Sequence, residues 1–152
     1  TLYGHFPSRE ALVEAALIRL LTQGDEVLAA VDLTRDPRDG LRALMESGWL
    51  LIAQAASVLQ AAQATLPPGR VHELHAKPEQ RVHDLIRRGQ VEGVFRADIA
   101  ADLLASALHH ILHGAATDVA TGQLEAAAAP RFVAEMALAV CVVPPRYGTE
   151  SL

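Results

Sequence analysis

A chain of 152 residues, 51% of them hydrophobic, has material for one domain with a sizeable packed core. The net charge of −5 and the scattered arginines exclude a nucleic-acid binder that works through this stretch alone. The most apolar run, 48–59, is short and carries Gln54 and Ser57, so no membrane span is expected.

In chain order, residues 1–6 read as the end of a helix, and Pro7-Ser8 as a break. Ser8 suits the N-cap of a helix that opens at Arg9 and runs to about residue 30. Val13, Leu17, Leu20, Leu21, Gly24, Val27 and Leu28 fall on one face of it at helical spacing. Leu12 points off that stripe, toward whatever precedes.

Asp36-Pro37 opens a second helix, with a carboxylate cap and proline at the first helical position. Pro67-Pro68-Gly69 stops it after about residue 65. Leu41, Leu44, Met45, Gly48, Ile52, Ala55 and Leu59 share one stripe. Beyond Ser47 no clear polar face remains, because Gln54, Ser57 and Gln60 are spread among Trp49, Leu50, Leu51 and Val58. A helix apolar on most sides is expected to be central and buried on most sides.

Residues 70–76 make a short helical piece, and Lys77-Pro78 restarts the chain. Val82, Leu85, Ile86 and Gly89 give the next stripe, with Glu79 in the first turn and Arg87-Arg88 in the last, as the helix dipole favours. Gly93 marks the end, and Asp98 is expected to cap a helix over 99–120. That helix carries two adjacent apolar stripes, one of Leu104, Leu108, Ile111 and Ala115, the other of Leu103, Ala107, His110 and Gly114. Two stripes imply two packing partners. Pro130 opens a last helix with Phe132, Val133, Met136, Ala137, Val140 and Cys141, and Pro144-Pro145 ends it. The tail, 147–152, is expected to be loose. No strand alternation and no repeat interrupts this pattern. The expectation is an all-α helical bundle.

Chemistry-bearing clusters are few. His109 and His113 lie one turn apart, but no Cys or Glu completes a metal set on that face, and Asp102 is nearly two turns back. His72, His75 and His83 form a second loose group. Hydrogen-bonding or solvated roles are expected for both, with no metal and no cofactor. No nucleophile with an orienting base, no carboxylate pair and no phosphate loop nominates an enzyme. The lone cysteine, Cys141, excludes an internal disulfide and suits a reducing, cytoplasmic setting. Gln54, with Trp49, could orient a ligand in an otherwise apolar cavity. Two other readings remain open at this level: a ligand-free dimerisation or adaptor module, and a metal-binding helical protein.

The run Thr1-Leu2-Tyr3-Gly4-His5-Phe6-Pro7-Ser8-Arg9-Glu10-Ala11-Leu12 closely resembles the end of the TetR-family helix-turn-helix and the start of the following helix. A looser likeness covers 86–98, where Gly89-Gln90, Glu92-Gly93, Phe95-Arg96 and Asp98 match a run found in the middle of many family members. Gly4 departs from the usual larger residue. The resemblance implies a remnant of the DNA-reading helix over 1–7 and a ligand-binding and dimerisation domain over 8–146. It implies phosphate or base contacts by Thr1, Tyr3, His5 and Arg9. Operator DNA would be bound only through a domain needing roughly forty further residues upstream. It also implies a homodimer and a repressor released by a small apolar or aromatic effector. The implied pocket lies among the helices starting at Ser8, Asp36, Pro78 and Asp98, with Met45, Trp49, Ile52, Gln54, Leu85, Leu108 and His109 as candidate lining. The implied interface uses the last two long helices, through Leu103, Ala107, His110, Gly114, Phe132, Val133, Met136, Ala137 and Val140.

Overall fold

Two side-chain caps fix where the first helices begin. Ser8 Oγ accepts the N–H of Ala11 at 3.1 Å, and α1 runs Arg9–Ala29. Asp36 accepts the N–H of Arg38 at 2.8 Å, and Pro37 opens α2, Pro37–Thr65. Each cap satisfies a backbone donor that the first helical turn leaves without a partner. The structure is a computed structural model that describes residues 7–74 and 76–145, without the side chains of 72 and 76–78. The further helices are α3 (Arg70–Leu74), α4 (Ala76–Val91), α5 (Ala101–Ala120) and α6 (Ala129–Cys141). The chain is an all-α helical bundle, and no strand occurs among the described residues. Thr1, Tyr3 and His5, His75 and the tail over 147–152 lie outside them.

The helix α2 is the hub, packed against α1, α4, α5 and α6. Its Leu41, Leu44, Met45 and Trp49 are buried together with Leu85 and Ile86 of α4, Leu104 and Leu108 of α5, and Val133, Ala134, Ala137 and Cys141 of α6. Small residues on α6 let it lie close to its neighbours, and Ala134 and Ala137 are fully buried. Arg42 reaches Glu135 at 2.7 Å across the α2–α6 seam. This exposed pair holds Glu135 below the usual carboxylate range, chiefly through the hydrogen bond from Arg42.

Three expectations need correction. Asp98 does not cap α5, which starts at Ala101 behind Ala100 with no side-chain cap. The guanidinium of Arg96 holds both Asp98 oxygens, at 2.9 and 2.8 Å, and a two-point charged contact outcompetes one backbone N–H. The second half of α2 is not buried on most sides. Leu50 is 56% exposed, and Gln54, Ser57 and Gln60 are exposed. The cause is length: α6 has 13 residues and α2 has 29, about 20 Å against about 44 Å at 1.5 Å per residue, so α6 covers only part of α2. Finally, Val133 and Ala137 cannot serve a dimer interface, because both are fully buried within the subunit.

The joint between α4 and α5 is built from the 86–98 run. Gly93 takes a left-handed φ of +73°, a conformation that favours glycine. Gln90 Nε2 donates to the carbonyls of Arg96 (3.0 Å) and Ile99 (2.9 Å). Phe95 is buried beside Gly89. The Arg96 N–H donates to the Cys141 carbonyl at 2.8 Å, beside an isolated antiparallel bridge between Phe95 and Val142. The end of α6 is thereby tied to the joint. Burial pushes the Cys141 thiol up to about 11, so it stays protonated and unreactive at neutral pH. No described helix is long and apolar enough to cross a membrane.

Candidate ligand cavity

The core does not close between α1, α2, α4 and α5. A cavity of about 740 Å³ lies there, within the range of about 300–1,000 Å³ typical of small-molecule sites. Its apolar walls come from one stripe on each long helix. Leu17, Leu20, Leu21, Gly24, Val27 and Leu28 on α1 face Leu44, Met45, Gly48, Leu51, Ile52, Ala55 and Leu59 on α2. Leu108 and Leu112 of α5 and Val82 of α4 complete that surface.

Two polar links hold α4 across the cavity. Arg81 donates to Asp25 of α1 at 2.9 and 3.1 Å. His83 Nε2 lies 2.6 Å from Asp102 Oδ1 at the start of α5. The other ring nitrogen, His83 Nδ1, is buried without a hydrogen-bond partner, and the nearest carboxylate is that of Asp84, at 3.7 Å. Glu79, Gln80, Asp102, Ser106 and His109 also line this side. Gln23, Gln54, Gln80, Asp102 and Ser106 are solvent exposed, so the cavity opens to water along its polar edge.

A second, smaller hollow of about 310 Å³ is lined by Gln63, Val71 and His113, and shares Leu59, Glu79 and His109 with the first. The His109 and His113 rings are 4.2 Å apart. Burial, then the neighbouring His109 and His110, lower the His113 pKa from its ordinary 6.5. The unfolded chain therefore takes up this proton at higher pH than the folded one. Stability should fall as pH drops through 6.5 toward the folded value. Thermal unfolding at pH 7.5 and 5.5 checks this: the melting temperature should fall, and His113→Gln should flatten the dependence. Among the described residues, no group of three side chains is arranged to hold a metal ion.

The sequence candidates separate on this geometry. Met45, Ile52, Gln54, Leu108 and His109 line the cavity. Trp49 and Leu85 do not; both are buried in the core instead. At 100° per residue, Trp49 sits about 100° from the centre of the cavity-facing stripe of α2. Leu85 is turned away from the side of α4 that carries Glu79 and His83, and packs over Gly40. On α5, Asp102, Ala105, Leu108, His109 and Leu112 line the cavity, while Leu104 and Ala115 are buried in the core. The remaining stripe faces out: Leu103 is 65% exposed, His110 and Gly114 are exposed, and Ala107 is half-buried. Phe132 and Met136 on α6 are also exposed, and Val140 is half-buried. Arg9 is exposed at the start of α1.

Sequence reasoning missed Glu79, His83 and Asp102. The signal was present on α4, where Glu79 and His83 fall one turn apart, at i and i+4, so that they share a face of the helix.

No family model matches the chain, and no curated protein does. A solved structure of a protein with unknown function from Rhodococcus sp. RHA1 is similar, with a TM-score of 0.76 at 19% identity. The likeness covers 91% of this chain and 76% of that one. At that identity the likeness shows the fold alone.

Proposed function

We propose that the chain is the effector-binding and dimerisation part of a cytoplasmic, TetR-like transcription regulator, a binding protein rather than an enzyme. The observation that carries this reading is the apolar cavity walled by α1, α2, α4 and α5. Helix α1 supplies part of that wall and begins within the 1–12 run, whose first seven residues resemble the end of a DNA-recognition helix. A small apolar or aromatic effector that prefers one setting of α1 would shift the population away from the DNA-competent form. The outward stripe of Leu103, Ala107, His110 and Gly114, beside Phe132 and Met136, supports a symmetric pairing of two subunits through α5 and α6.

The test uses the protein extended upstream of Thr1 by the DNA-binding residues that this reading requires. That protein should retard DNA from its own control region, and effector should release it. Leu12→Asp, at the boundary between head and core, should keep DNA binding and raise the effector concentration needed for release by at least about tenfold. Normal release by that variant would refute the assignment of α1 as the lever. Failure of the wild-type protein to hold DNA would refute the regulator.

A further inference from the structure

The cavity has a one-sided electrostatic character. Among the described residues that line it there is no arginine and no lysine, and the two formally charged side chains, Glu79 and Asp102, are both acids. Resting on the reading of this cavity as a ligand site, we infer that it selects an amphiphile with an apolar body and a cationic head, such as a hydrophobic amine or quaternary ammonium.

The apolar body is matched by the leucine-rich walls of α1 and α2. The head is matched at the junction of the two hollows. Glu79 and His109 line both, and Glu79 is half-buried there. A carboxylate or phosphate head placed beside Glu79 would meet like charge, with no guanidinium or ammonium among the described wall residues to pair it. A charge taken from water without a partner is strongly disfavoured. An ammonium head gains a partner at the same place. Burial lowers the pKa of His113, the other histidine of the smaller hollow, so at neutral pH it supplies no compensating positive charge.

Three ligands with one tail separate the contributions: decyltrimethylammonium, decanol and decanoate, each titrated calorimetrically below its micelle concentration at pH 7.5. The expected order is ammonium, then alcohol, then carboxylate, with at least about fivefold between first and last. Glu79→Gln should remove most of that gap, read as the ratio of the ammonium affinity to the decanol affinity within each protein. Asp102→Asn, at the exposed edge, should narrow it less. Decanoate binding as tightly as the ammonium, or a gap untouched by Glu79→Gln, overturns the charge selection while leaving the cavity a binding site. Failure of all three to bind overturns the cavity reading itself.

Discussion

Gly89→Ala should lower the unfolding free energy by about 2–3 kcal/mol, although the same change in an open helix interior gains about 1 kcal/mol. A Cβ at Gly89 would lie 2.6 Å from Phe95 Cε2 and 2.7 Å from Phe95 Cγ. The ring cannot retreat, because Phe95 is only 1% exposed. Its backbone is held as well: the Phe95 N–H donates to the Gly89 carbonyl at 3.0 Å, and the Arg96 N–H to the Cys141 carbonyl at 2.8 Å. Relief of the overlap has to move the whole α4–α5 joint and the end of α6. Urea denaturation reads the loss directly. Pairing the change with Phe95→Leu should cost less than the sum of the two single changes, since the smaller side chain removes the overlap. A more stable Gly89→Ala variant would mean that the joint is looser than described.

Trp49→Ala should cost about 3–5 kcal/mol, the range for removing a large aromatic from a closed core. Trp49 is 4% exposed and packs in the main core cluster, on the flank of α2 away from the cavity. Since Trp49 is the only tryptophan, the unfolding transition of the variant should be followed by far-ultraviolet circular dichroism. A loss under about 1 kcal/mol would contradict the packing of α2 against its neighbours.

These two residues also mark the boundary of what the sequence could tell. Helix starts were legible at Ser8 and at Asp36-Pro37 because capping is local chemistry. So were the stripes of α1 and the inner face of α5, because periodicity identifies the residues that share a face. Periodicity does not identify what lies opposite that face. Trp49 looked like a pocket residue because it neighbours Met45 and Ile52 on the same helix, yet a modest rotation turns it to the core. Leu50, Ser57 and Gln60 looked buried because no polar face balanced them, and the shortness of α6 left them uncovered. Asp98 looked like a cap until Arg96 competed for it. The 86–98 run has a physical account in this fold: Gly89 makes room for Phe95, Gln90 staples the connection, Gly93 turns it, and Arg96 clamps Asp98. The functional reading leans on the cavity and on the resemblance carried by residues 1–12.

The most direct measurement is the thermal unfolding of the wild-type chain and of Ala105→Trp in the presence of a panel of apolar and aromatic small molecules. Ala105 lies in the cavity wall on α5, where an indole would occupy ligand space. At least one compound should raise the wild-type melting temperature in proportion to the logarithm of its concentration and leave the variant unmoved. A panel without effect on the wild type, or an equal shift in both proteins, would contradict a binding site between α1, α2, α4 and α5.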